Sequence, residues 1–309
     1  MTMQWKGVMP AITTGFDADL KVDHAFVAEH CRWLVDSGCT GIVTPGSLGE
    51  GATLSFDEKL ALWETVVGAV GGRVPVVAAV ASLSTAEAVE LAGRAEERGC
   101  RGLMVLPPYV YRGDWREMKA HVAAVLRATG LPCMLYNNPV AYGTDFLPEQ
   151  IQELAAEHEN LEAVKESSTD ARRVTAIRAL AGERLAVLVG VDDALVEGVA
   201  VGAVGWVAGL AGALPKESVD LFNYAAAGEH EKASALYNWF LPLLRMDTVP
   251  KFVQLIKLVQ QEVGRGSARV RPPRMELVGE ELEQAKKIIR TALENRPEFE
   301  TTAQAAQVQ

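Results

Sequence analysis

Ser37-Gly-Cys-Thr-Gly-Ile-Val-Thr44 and Arg98-Gly-Cys-Arg-Gly-Leu-Met-Val105 are two copies of one event. In each, a helical stretch stops at a glycine, where a residue without Cβ adopts the left-handed cap cheaply, and a short apolar run follows. The same punctuation recurs at Gly71-Gly72, Gly130 and Gly182. Each quoted stretch supplies one apolar run. Residues 8–12, 74–80, 133–136, 161–164, 185–189 and 204–207 supply six more, about 20–35 residues apart. Short continuous apolar runs are what parallel strands buried on both faces look like.

Helix-period segments fill the gaps. Residues 24–35 put Phe26, Val27, Trp33 and Leu34 near one stripe. Residues 56–70 and 84–98 each begin with the serine and glutamate of a capping box, Ser55 with Glu58 and Ser84 with Glu87. Residues 114–128, 147–157, 169–181 and 193–200 complete the set. Strict β/α alternation predicts a (β/α)8 TIM barrel over residues 1–214. A doubly wound open sheet is the competitor. It would need a G-x-G-x-x-G fingerprint, and the glycine-rich residues 202–212 lack that order and follow the seventh unit. After Pro215 the strands stop. Residues 217–227, 231–243, 248–263 and 280–294 read as helices, so 215–295 is expected as a C-terminal helical segment packed on the barrel. Residues 296–309 read as a polar, flexible tail.

The chain has 309 residues, 49% hydrophobic and 23% charged, which excludes disorder as the dominant state. Its net charge of -10 repels nucleic acid, and its densest cationic stretch, residues 265–274, is short and carries two prolines. No apolar leader opens the chain. The best membrane candidate, residues 199–214, is mostly Gly, Ala and Val and falls short of the ~20 strongly apolar residues of a span. Cys31, Cys39, Cys100 and Cys133 form no C-x-x-C pair and read as reduced core thiols of a cytoplasmic protein. The five histidines fall on helices or their flanks, away from strand ends, so no metal site is expected.

A barrel places its chemistry where strands end. Lys165 directly follows the run 161–164, so its stem starts inside the mouth. Desolvation there lowers an amine's pKa and leaves a nucleophilic fraction able to condense with a ketone. The other open reading pairs Lys165 with Glu166. Tyr136, at the end of the neighbouring strand, is a candidate proton donor, with Ser47 as its natural partner in a hydroxyl relay; it could equally be a core aromatic. The turn Gly46–Gly49 offers backbone N–H groups for a carboxylate. Asp192 and Asp193 read better as an acidic turn capping the next helix than as a cation site.

Gly46-Ser-Leu-Gly-Glu50, Tyr136-Asn-Asn-Pro139, Val164-Lys-Glu-Ser-Ser168 and Gly190-Val-Asp-Asp193 together resemble the dihydrodipicolinate synthase/N-acetylneuraminate lyase family of class I aldolases, over about residues 5–295. The resemblance implies Schiff-base chemistry on pyruvate or another 2-oxo acid, with no metal or organic cofactor, in a homotetramer built as a dimer of dimers. It assigns Lys165 to the imine, Tyr136 to acid/base work and Ser47 to the relay. The candidate substrate contacts are Gly46, Leu48, Gly49 and Glu50 in the turn, Tyr109 in the fourth loop, Gly190, and Trp206 with Val207 on strand eight, where Trp206 is expected to close the pocket.

Three departures shape the substrate expectation. Leu48 stands where the family has a second hydroxyl. Val110 takes the place of the cross-subunit tyrosine. Val140-Ala-Tyr-Gly-Thr144 lacks the arginine that grips the distal carboxylate in true synthases. The expected activity is therefore a catabolic lyase, such as hydroxyproline or 2-oxo-3-deoxy acid breakdown. An authentic 4-hydroxy-tetrahydrodipicolinate synthase, with Arg112 or Arg116 as the substitute cation, and a non-catalytic 2-oxo acid binding barrel are the alternatives. Tyr111, Trp115 and Trp239 are candidate interface aromatics.

Overall fold

A computed structural model describes residues 3–108 and 111–297. All eight apolar runs are strands: β1 Gly7–Pro10, β2 Ile42–Thr44, β3 Val76–Val80, β4 Gly102–Val105, β5 Cys133–Asn137, β6 Leu161–Glu166, β7 Ala186–Val189 and β8 Gly205–Ala208. They run parallel in the order β1-β8-β7-β6-β5-β4-β3-β2. A parallel bridge from Ala11 to Val43 and a bond from the Thr40 amide to the Val8 carbonyl (2.8 Å) join the two ends, so the sheet closes into a TIM barrel.

Alternation along each strand splits the core in two. Met9, Val77, Met104, Met134, Leu188 and Val207 fill the barrel. Their neighbours Val8, Val76, Leu103, Val187 and Trp206 face the helices. Trp5 belongs to the interior cluster and its indole donates to Glu162 (3.0 Å).

The helices are α1 His24–Asp36, α2 Phe56–Val70, α3 Thr85–Glu97, α4 Trp115–Arg127, α5 Pro139–Tyr142, α6 Pro148–Glu157, α7 Arg172–Ala181, α8 Leu195–Ala200, α9 Pro215–Ala227, α10 His230–Leu244, α11 Phe252–Glu262 and α12 Gly279–Glu294. The Ser55–Glu58 capping box forms in full. Ser84 caps α3, but Glu87 turns its carboxylate to the Ser82 hydroxyl (2.6 Å), so only half of that box exists. The one-turn α5 was not foreseen; Pro139 starts it and Gly143, left-handed, ends it.

The expected boundary at residue 214 falls inside the last β/α unit. Helix α9 packs on β1 and β8 as the eighth barrel helix, and α10–α12 are the additional segment. A helical pattern alone does not tell a barrel helix from an added one. The expected tail falls mostly on residues 298–309, outside the described residues. Among the described residues no helix is long and apolar enough to cross a membrane, and no group of three His, Cys, Asp or Glu side chains could hold a metal ion. All four cysteines are buried free thiols, and burial pushes their pKa values up.

Candidate active site

The C-terminal ends of the strands open into a cavity of about 480 Å³. Gly46, Ser47, Leu48, Tyr136, Lys165, Gly190 and Val207 line it, as expected of a barrel mouth. The β5–β6 register sets Tyr136 beside Lys165, and the Lys165 ammonium sits 4.2 Å from the Tyr136 ring centroid. Lys165 is only 7% exposed. Burial brings its pKa down to about 8, against the opposing pull of the Asp247 and Asp192 charges.

Glu166, the next residue, faces the other side of the strand. It accepts from the Asn137 side chain (3.0 Å) and the Ser168 amide (2.6 Å), and burial pushes its pKa up. The Lys165–Glu166 pairing therefore does not form, because neighbours on a strand point to opposite faces. Gly190 is glycine for space: a Cβ there would lie 2.6 Å from the Lys165 Cε and would overlap the Ser167 hydroxyl.

The Tyr136 hydroxyl accepts from Asn138 Nδ2 (2.9 Å), and burial pushes its pKa up to about 12. Ser47 does not meet Tyr136 directly. Its hydroxyl pairs with that of Tyr142, and the Tyr142 ring stands edge-on to Tyr136 at 5.7 Å between centroids. The unforeseen helix α5 makes this arrangement: Asn138 caps it by accepting from the Ala141 amide (2.9 Å), and Tyr142 is its last residue.

Three of the expected contacts lie away from the cavity wall. Trp206 is fully buried on the outer face of β8, where its indole donates to Asp192 (3.0 Å); odd and even strand positions face opposite ways, so Val207 points inward and Trp206 does not. Gly49 holds the Thr14 hydroxyl on its carbonyl (2.6 Å). Glu50, in the left-handed region at φ 53°, turns under the loop, pairs with the buried Lys257 and accepts from the Arg271 amide (2.9 Å). Asp192 does not cap α8. It accepts from Trp206 and from the amides of Gly209 (3.0 Å) and Leu210 (2.7 Å), and burial raises its pKa to about 6 despite these bonds.

Tyr109 and Val110 lie outside the described residues. Arg112 lies over Gly143 with its guanidinium carbon 3.1 Å from where a Cβ would sit, exposed and away from the cavity wall; Arg116 is exposed on α4. Tyr111 is exposed. Trp115 packs edge-on against Phe146 and donates to Glu153, and Trp239 stacks on Phe240 and donates to the Ala292 carbonyl, so both serve packing within the chain.

The sequence reading missed the far wall. Asp247, Thr248, Phe252 and Arg274, all from the additional segment, line the same cavity as Lys165. Asp247 leans on Gly209, where any Cβ would overlap its carboxylate. Burial, reinforced by the Asp192 charge, raises its pKa well above the usual range. The one sequence signal was Gly209 itself, a glycine just past an apolar strand run.

Comparison with known proteins places this geometry. Residues 4–292 match the dihydrodipicolinate synthetase family. The 4-hydroxy-tetrahydrodipicolinate synthase of Methanocaldococcus jannaschii is 32% identical over 291 residues, covering 94% of this chain and 98% of that protein. The enzyme of the same name from Moorella thermoacetica is 34% identical over 286 residues, covering 93% and 97%. YagE, a prophage protein of the dihydrodipicolinic acid synthase family from E. coli K12 solved in complex with pyruvate, is 26% identical with a TM-score of 0.88, covering 94% of this chain and 99% of its own. The relatives named as synthases overturn the expected catabolic lyase: they match nearly end to end, although Val140–Thr144 lacks the arginine that prompted that expectation. The chain is a Schiff-base lyase of the barrel type and belongs to the dihydrodipicolinate synthetase family.

Proposed function

We propose that the chain is a 4-hydroxy-tetrahydrodipicolinate synthase joining pyruvate to aspartate semialdehyde. The observation that carries this reading is Lys165, depressed in pKa and beside Tyr136, in a cavity with the Gly46–Leu48 turn on its wall. The neutral Lys165 amine adds to the pyruvate carbonyl and water leaves, giving an imine. The turn's N–H groups and the Ser47 hydroxyl take the pyruvate carboxylate. Tyr136, having given its phenolic proton to the hydroxide that departs as the imine forms, takes a methyl proton; the resulting enamine carbon attacks the aldehyde, and Tyr136 returns that proton to the alkoxide. The aldehyde's oxygen stays as the 4-hydroxyl. The semialdehyde's own amine then attacks the imine carbon, closes the ring and expels Lys165 as a free amine. The two carboxylates of the product come one from each substrate. The lysine imine and the enamine formed from it carry the activation, so the reaction calls for no metal and no organic cofactor. The reading also takes the enzyme to be a cytoplasmic homotetramer, as the resemblance implies.

The test is intact mass after incubation with pyruvate and borohydride, followed by peptide mapping. A pyruvyl group on Lys165, together with ring formation when aspartate semialdehyde is supplied, supports the reading. An adduct without condensation would leave a lyase of another 2-oxo acid pair, and no adduct in folded protein would remove the imine step.

A further inference from the structure

The geometry points to Arg274 as the carboxylate-binding subsite for the second substrate. This rests on the Lys165 imine reading above. Residues 265–274 carry four arginines. Three are engaged. Arg265 stacks over Trp33 at 4.7 Å. Arg269 donates to the Phe16 carbonyl (3.4 Å). Arg271 grips Glu58 with both terminal nitrogens (2.9 Å each) and the Leu20 and Thr53 carbonyls. Arg274 is the fourth, and among the described residues its guanidinium has no ion-pair or hydrogen-bond partner. It is half-buried and lines the cavity that holds Lys165.

A guanidinium is always charged and presents a planar fork that fits a carboxylate. Left half-buried without a partner, it costs free energy that an incoming anion recovers. The segment that carries it is not loose. Glu50 accepts from the Arg271 amide (2.9 Å) while binding Lys257, and the Arg274 amide donates to the Arg271 carbonyl (3.2 Å). The arginine is therefore held at a fixed place relative to the turn that receives the pyruvate carboxylate. Pyruvate's own carboxylate is satisfied at that turn, which leaves Arg274 for an anionic group on the partner aldehyde. The ligand class is a short aldehyde with a terminal carboxylate. Arg112, exposed and outside the cavity wall, does not meet this description.

The experiment compares wild type, Arg274→Gln and Arg112→Gln with pyruvate and three aldehydes: aspartate semialdehyde, succinic semialdehyde, and butanal, which lacks the carboxylate. Wild type is expected to favour the carboxylated aldehydes over butanal by about 10- to 100-fold in kcat/KM. Arg274→Gln is expected to erase that preference through KM, while Arg112→Gln keeps it. A preference that survives in Arg274→Gln, or that is lost in Arg112→Gln instead, overturns the assignment. Wild type that turns over succinic but not aspartate semialdehyde sinks the synthase reading alone, and the pair with butanal still reads Arg274. Wild type that accepts neither semialdehyde overturns both.

Discussion

Two regions of this molecule bury a lysine, and they treat it in opposite ways. At the barrel mouth Lys165 is 7% exposed over the Tyr136 ring; beneath the Gly46–Glu50 turn Lys257 is 1% exposed over the Phe16 ring, at 4.4 Å. Burial depresses both amines. Lys257 is then fixed by Glu50 and by the Arg269 carbonyl (2.7 Å). Lys165 has no hydrogen-bond partner among the described residues, and its two acidic neighbours act on it only through their charge. Cation–ring contact and burial are thus common to a structural and a reactive amine. What separates them is whether the nitrogen's donors are already taken.

The largest expected effect breaks the mouth. Lys165→Met is expected to lower turnover at least about a thousandfold with the thermal midpoint unchanged or raised, since the lost ammonium held nothing in place. Calorimetry showing a clear drop in midpoint would place Lys165 in the structural class with Lys257. The mirror experiment is Lys257→Met, expected to destabilise by about 3–5 kcal/mol because Glu50 is left buried and unpaired. Denaturant titration checks it, and the double variant with Glu50→Gln should recover part of the loss; no recovery would mean the cost was packing.

A smaller effect follows from pH. In the folded chain Lys165 releases its proton near pH 8, against 10.5 for an ordinary lysine. Below pH 8 both folded and unfolded chains hold that proton and the burial penalty acts in full. Between 8 and 10.5 the folded chain alone has released it, so this group's contribution to stability improves as pH rises. The rate of borohydride trapping with pyruvate should climb about tenfold per unit up to pH 8 and then level off. A flat profile from 6 to 9 would argue that the amine is not depressed. The smallest effect belongs to Tyr142→Phe, which keeps the edge-on ring and removes the hydroxyl that pairs with Ser47. Turnover should fall roughly three- to tenfold, with the alkaline limb of the rate profile shifted; an unchanged profile would put Tyr142 outside the relay.

The barrel was legible because its strands are buried on both faces and its first four helices begin at Asp23, Ser55, Ser84 and Asp114. Lys165, Tyr136 and the Gly46 turn were legible because each stands next to an apolar run or inside a glycine cluster. What escaped the reading depends on contacts far along the chain. Nothing local in Arg245-Met-Asp247 or Pro273-Arg274 says that these residues close a cavity opened by β2, β5 and β6. Trp206 was placed on the wrong side because parity along β8 was not carried through from Val207. Glu50 was read as a substrate contact because its partner sits 207 residues away. One trace of that partner was available: Val253, Ile256, Lys257 and Gln260 share one helical face, and two polar residues on an apolar stripe signal buried pairing.

The bond between Glu50 and Lys257 also sets a schedule for synthesis. When β8 leaves the ribosome the whole strand complement exists, yet Lys257 follows about 50 residues later, roughly 3–10 s at ordinary elongation rates. During that interval the glutamate under the turn has no counter-charge and the far wall bearing Asp247 and Arg274 has not docked. The nascent barrel therefore carries its reactive amine before it has a finished pocket, and the last third of the chain acts as the step that commissions the enzyme.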